Sequence, residues 1–275
     1  MRKVLTTLAL ALIVCGGALT AAARPRMYTL VEKTRGAQLI AFARVVELRP
    51  SSIVFKLEQQ LKGAVSAAAL EVPWDYVGNL EQRPPKLEVG EQVLLFVVKE
   101  GDSYKTFGGP QGASKLGPGD AQRYQSLIGD LLDFDAADSP ILRGQILTKL
   151  LEGVEPSGRL TALEIIYNEF QTNKFLTAPL VKPVLRLAEG NEPAVAVRAV
   201  QALSRIGGKS VIPNLIGLLR SPDEDVAGAA SSALESMTGV EIEFDTAQSS
   251  QERGKAIEKW ESWWRENRHR AVLNK

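Results

Sequence analysis

The hydrophobic pattern of the first part of the chain is that of β-strands. Residues 39–48 are rich in β-forming side chains and end just before Pro50, while residues 92–98 form a continuous apolar run. Such a run predicts a strand that is covered on both faces. The predicted strands are residues 39–48, 53–58, 69–73, 92–98 and 104–107. Since no helical pattern separates them, they predict a small antiparallel barrel or sandwich.

The second part of the chain has the periodicity of helices, and the pattern repeats. The loop at residues 152–156, Glu-Gly-Val-Glu-Pro, recurs at 189–193 as Glu-Gly-Asn-Glu-Pro. Apolar positions recur with the same offset and again in a third copy: Leu147, Val184 and Leu215; Leu150, Leu187 and Leu218; Ala162, Ala199 and Ala230; Ile166, Leu203 and Leu234. Each helix therefore has one buried stripe, and the recurring alanines allow neighbouring helices to approach closely.

The ends of this repeated region have distinct patterns. A helix is predicted at residues 120–134, where it would join the strands to the repeats, and a short helix at 28–35. Ser249 followed by Glu252 predicts a capping box. The helix that it begins carries a stripe at helical spacing, formed by Ala256, Trp260, Trp263 and Trp264. We interpret the stripe as a packed end of the array; an exposed platform for a sugar or a base is the alternative.

The first 23 residues have the pattern of a secretory signal. Arg2 and Lys3 precede an apolar stretch, and Ala21-Ala22-Ala23 provides a cleavage site. We therefore expect export to the periplasm or the outside of the cell, with no transmembrane segment in the mature chain. The bulky Val14 before Cys15 argues against a lipoprotein. The predicted divisions are residues 1–23 (signal peptide), 24–109 (β-barrel domain), 110–119 (Gly/Pro linker) and 120–275 (helical solenoid with a Trp-rich capping helix).

Both halves resemble known families. Residues 193–239 carry the alternation of small and aliphatic positions seen in HEAT repeats, and the resemblance extends over 141–239. The short helix and strands at 30–63 resemble netrin-like and TIMP-like barrels of the OB type. Inhibitory members of that family depend on an N-terminal cysteine, whereas Arg24-Pro25-Arg26 stands here. The resemblances imply a multidomain α+β protein: a small antiparallel OB/TIMP-like β-barrel followed by an α-helical HEAT-like solenoid.

The composition excludes several kinds of chemistry. The chain has one histidine, His269, and one cysteine, Cys15, which a signal peptidase would remove. We therefore predict no catalytic triad, no metal site and no cofactor. Asp223-Glu224-Asp225 follows Pro222 and is interpreted as a helix start. The formal net charge of +1 gives no electrostatic basis for binding nucleic acid.

These observations favour a non-enzymatic scaffold that binds another protein. Repeat arrays offer an extended groove, and here we expect it along the second helix of each hairpin. The candidate binding residues form a mildly basic row suited to acidic peptides: Gln145, Lys149, Lys182, Arg186 and Asn214. Two alternatives stay open. Trp74 and Tyr76 could bind a small molecule or a glycan at the barrel, and Asp75 or Glu81 could serve an unrecognised carboxylate-dependent enzyme.

Overall fold

The computed structural model of the chain describes residues 27–74, 86–169 and 174–269. The strands are β1 (Leu39–Leu48), β2 (Ser52–Lys62), β3 (Ala69–Pro73), β4 (Gln92–Glu100), β5 (Ser103–Thr106) and β6 (Ala113–Lys115). The helices are α1 (Leu30–Gly36), α2 (Asp120–Ala136), α3 (Pro140–Glu152), α4 (Pro156–Glu169), α5 (Lys174–Ala188), α6 (Pro193–Ile206), α7 (Ile212–Leu218), α8 (Glu224–Thr238) and α9 (Ser250–Asn267). The predicted signal peptide, residues 1–23, lies outside the described residues.

The strands form one antiparallel sheet in the order β3-β2-β1-β4-β5. The sheet curls, so that its outer strands β3 and β5 approach each other. The sequence predicts a small antiparallel barrel followed by helices, and the structure, a curled half-barrel followed by helices, confirms this fold class. All the predicted strands are confirmed to within a few residues, as is the short helix before them.

Both faces of the central strands are covered, which explains the continuous apolar run of β4. On the inner face, Ala43, Val45 and Phe55 pack with Val93 and Leu95. On the outer face, a second cluster joins the sheet to α2. This cluster consists of Ala37, Ile40, Phe42, Leu94, Phe96 and Ile128. The sheet is therefore held against the helical half by buried apolar contacts.

The segment predicted as a linker, 110–119, has a different structure in its first part. A short 3₁₀ helix at Gly109–Gly112 leads into β6, and β6 pairs with β4. Strand β5 covers the edge of β4 only from Val97 onward, and β6 covers it at Val93–Leu95. Pairing satisfies backbone groups that would otherwise be left at an open sheet edge. Glycine and proline content alone predicted an irregular segment.

The helices after α2 form two layers. In one layer α4, α6 and α8 pack side by side; in the other α3 packs on α5, while α7 packs on α8 and α9. The repeat register is confirmed, because three of the four aligned sets are fully buried: Leu147, Val184 and Leu215; Ala162, Ala199 and Ala230; Ile166, Leu203 and Leu234. In the fourth set Leu150 is buried, whereas Leu187 and Leu218 are half-buried.

Each end of the array is closed by a helix. Helix α1 contacts α2 and α4, and its Val31 is part of the helical core. At the other end α9 begins with the predicted capping box of Ser249 and Glu252, and Trp260 is fully buried against the array. The predicted helix start at Asp223 is also confirmed, since its carboxylate accepts the Val226 N–H at 3.0 Å. Apolar surface is thus covered at both ends of the repeats.

Candidate interaction surface

The predicted binding residues lie on the helices α3, α5 and α7, of which α3 packs on α5. Gln145 and Lys149 are exposed on α3, Lys182 and Arg186 are exposed on α5, and Asn214 is half-buried on α7. These are the second helices of the hairpins. We call this surface the α3–α5–α7 face.

Three of these five side chains already have an acidic partner. Lys149 Nζ donates to Asp130 at 2.6 Å, and Arg186 Nη2 donates to Glu152 at 2.8 Å. Asn214 Nδ2 donates to Glu189 at 3.0 Å. Glu152 and Glu189 are equivalent residues of the repeat. The pairs that they form with Arg186 and Asn214 therefore link α5 to the end of α3, and α7 to the end of α5. The face is therefore less basic than its row of cations suggests.

In the first of these pairs, the cation is nevertheless more exposed to solvent than its acidic partner. The Lys149 side chain is 66% exposed, while that of Asp130 is 13% exposed. Lys182 has no ion pair or hydrogen bond within the described part of the chain. Because exposed ion pairs contribute only about 0–1 kcal/mol, their partners are easily exchanged for those of another molecule. Positive charge is thus available to a partner at Lys149 and Lys182.

A groove of about 470 Å³ opens beside this face, between α2, the end of α3 and the start of α4. Leu127 and Leu150 are nearly fully buried in its lining. Val154, in the loop after α3, is 82% exposed. Sequence reasoning missed this groove, although one signal was present: Val154 is apolar where the next copy of the repeat has Asn191.

A second cavity of about 320 Å³ lies where α1 meets α4. Arg35 of α1 spans this joint, donating to Asp135 of α2 at 2.7 Å and to Glu169 of α4 at 2.6 Å. These hydrogen bonds, that to Asp135 above all, raise the pKa of Arg35 above its ordinary value. Lys62 of β2 donates to the Thr34 carbonyl of α1 at 2.7 Å. Polar contacts from three elements therefore fix α1 on the array.

Glu164 lines the same cavity and has a perturbed pKa. Burial raises its pKa, and the neighbouring charge of Glu32 raises it further. The Thr29 hydroxyl, Arg198 and Arg35 act in the opposite direction. The carboxylate form of Glu164 is therefore disfavoured in the folded chain.

This shift predicts how Glu164 affects stability. Because its folded pKa is raised, Glu164 costs no stability below the ordinary pKa of a glutamate. This cost in stability develops as the pH rises through the pKa that Glu164 has in the folded chain, and it persists at neutral pH. Glu164→Gln should therefore stabilise the chain at pH 7, by less than about 1 kcal/mol since the site is partly solvated. The gain should vanish near pH 4 in urea unfolding. Glu258→Gln, at an exposed position of α9, is the control, and a gain that grows toward low pH would contradict the prediction.

The residues of the alternative functions are placed as follows. Trp74 is half-buried with its ring edge-on to Phe55, at 6.1 Å between centroids. Asp75, Tyr76 and Glu81 lie outside the described residues. Among the residues that are described, no three or more histidine, cysteine or acidic side chains are grouped to hold a metal ion. No helix within the described ranges has the length and apolar character to cross a membrane.

Comparisons with known proteins bear on the helical half. Residues 145–243 match the family described as HEAT repeats. The match runs from α3 to the segment after α8 and includes all five predicted binding residues. Neither the curated proteins nor the solved structures gave a match to the chain. Residues 145–243 are therefore similar to HEAT repeats, and repeat arrays of this kind generally offer an extended surface for binding.

Proposed function

We propose that the protein is an exported, non-enzymatic scaffold that binds another protein on its α3–α5–α7 face. The observation that carries the proposal is the arrangement of Lys149, Lys182 and Arg186. All three project from the second helices of the region similar to HEAT repeats, and Lys182 has no partner in the described part of the chain. Outward-facing cations on an extended rigid surface favour an acidic segment of the partner, through electrostatic complementarity.

Site-specific crosslinking tests the location of the binding face. A photo-crosslinking amino acid at position 182 or 186 should capture the same protein in intact cells of the source organism. The matched control is position 198, which is exposed on α6 in the other layer. Charge reversal of the remaining cation, Arg186→Glu with the crosslinker at position 182 or Lys182→Glu with the crosslinker at position 186, should reduce capture without changing the melting temperature. Capture of one protein with equal yield from position 198 would place the binding face elsewhere, and the absence of any crosslink from positions 182 and 186 would refute the proposal.

Export is tested independently. Arg2, Lys3 and the apolar stretch that ends before Ala23 support it. The N-terminal sequence of the protein isolated from its source should begin at Arg24. A chain that keeps Met1, or one that begins at a lipid-modified Cys15, would contradict a soluble exported protein.

A further inference from the structure

Exposed aliphatic side chains in the helical half are concentrated at one helix. Among the described residues of this half, the large apolar side chains left exposed are Ile141, Leu142 and Val154. The first two begin α3 and the third directly follows it. Ile141 and Leu142 lie at the start of α3 and Val154 lies beyond its end, roughly 18 Å away at about 1.5 Å per residue, so only Val154 borders the groove.

The groove beside Val154 is suited to an apolar side chain. Its floor contains Leu127 and Leu150, and its lining includes three glycines, Gly119, Gly153 and Gly158. A Cβ atom at Gly119 would meet nothing within 4 Å, so the groove is open there. Neighbouring helices pack with axes about 8–10 Å apart, which leaves room between them for side chains but not for a third helix. An extended segment with an inserted side chain fits this shape.

Two cations line the groove, and both have acidic partners within the chain. Lys149 pairs with Asp130 of α2, while Arg123 of α2 pairs with Asp120 and lies 3.6 Å from Glu155 in the loop after α3. Positions 123 and 130 are roughly 10 Å apart along the helix, at about 1.5 Å per residue. An extended chain covers that distance in about three residues at roughly 3.3 Å each. Carboxylates about three residues apart would therefore reach both cations.

From this geometry we infer that the groove between α2, the end of α3 and the start of α4 is the anchor site for the partner. The occupant is an extended acidic segment of another protein, in which an aliphatic side chain lies between two carboxylates about three residues apart. The aliphatic side chain contacts Leu127, Leu150 and Val154, and the carboxylates pair with Lys149 and Arg123. This inference rests on the proposed function, since it names the partner segment for the same face and places its anchor at α3.

The test selects short random peptides displayed on phage against the purified full chain. Enriched sequences should contain an aliphatic residue flanked by Asp or Glu, and the synthetic peptides should bind in fluorescence anisotropy. Val154→Asp and Lys149→Glu should each weaken binding by at least about tenfold, because they remove the central contact or a cation at the rim. Val154 is exposed, so Val154→Asp should not change the melting temperature. Lys149→Glu places a second carboxylate beside Asp130, so Lys149→Gln, which removes the charge without adding that repulsion, is its control. Arg198→Glu, on the other layer, should leave binding unchanged.

The outcomes separate this inference from the proposed function. If selected peptides lose binding with Lys182→Glu but not with Val154→Asp, the α3–α5–α7 face binds protein but the groove is not its anchor. Enrichment of basic peptides, or no enrichment, would overturn the inference. So would self-association of the chain that Val154→Asp abolishes, because the groove would then hold a second copy. If the selected peptides bind as expected but positions 182 and 186 give no crosslink, the inference about the groove stands and only the wider α3–α5–α7 binding face is contradicted.

Discussion

Replacement of Trp260 by alanine should lower the free energy of unfolding by about 3–5 kcal/mol. Its side chain is fully buried in the core of the array, in the same cluster as Leu234, Met237 and Ile257. The ring also lies edge-on to Trp263, with 5.7 Å between centroids. Truncation removes a large apolar surface from the core and leaves a cavity at the end of the array. Urea unfolding, followed by circular dichroism at the helical band, measures the loss.

Two further variants make the result specific. Trp260→Phe should cost much less than Trp260→Ala, since it keeps most of the buried ring and removes an indole N–H that has no hydrogen-bond acceptor in the described structure. Lys259→Ala changes the exposed neighbour and should shift stability by less than about 0.5 kcal/mol. A Trp260→Ala variant as stable as the Lys259→Ala variant would refute the packed end. It would restore the sugar or base platform as an interpretation of this stripe.

Phe96→Ala should cost a similar amount, about 3–5 kcal/mol, and should affect both halves of the protein. Phe96 projects from the outer face of β4 into the cluster that contains Ile128 of α2. Helix α2 in turn contributes Leu127, Leu131 and Phe134 to the core of the array. Since the sheet and the array share α2, they should unfold in one cooperative transition. Hydrogen exchange of the amides of β1 and β4 and of those of α6 should therefore report the same loss of stability.

A double-mutant cycle checks this coupling. Phe96→Ala and Ile128→Ala touch the same cluster, so their effects should be non-additive by more than about 0.5 kcal/mol. Phe96→Leu, a smaller change in volume, should cost less than about 1.5 kcal/mol. Two separate transitions, with the helical one unchanged by Phe96→Ala, would mean that the two halves are independent domains.

Local patterns were sufficient to predict most elements and the repeat. Residues 39–48 and 69–73 form strands with the predicted bounds, and the aligned Leu147, Val184 and Leu215 are all fully buried. Periodicity succeeds here because each strand or helix must present its apolar side chains to one core. It is less accurate at the margin of a stripe, where Leu187 is only half-buried. Burial at such a position depends on how closely the next helix approaches.

The candidate site was predicted only in part. The cations at positions 149, 182 and 186 were identified from their helical positions, and the structure places them on α3 and α5, which pack on each other. Their partners could not be identified, because Asp130 and Glu152 belong to preceding helices and meet them only after packing. The groove was missed for the same reason, since its floor combines Leu127 of α2 with Leu150 of α3.

By itself the sequence determined the order of the elements, the faces that they bury and the HEAT-like register, because these depend on the spacing of residues along the chain. Only the tertiary structure decided which segments distant in sequence pair or pack with each other. The Ala113–Lys115 segment, predicted as a linker, pairs with an edge of β4 that β5 leaves open. Val31 of α1 enters the core of an array that begins long after it in sequence. Both outcomes follow from the need to cover open backbone and apolar surface, and only the packed fold shows where that surface remains.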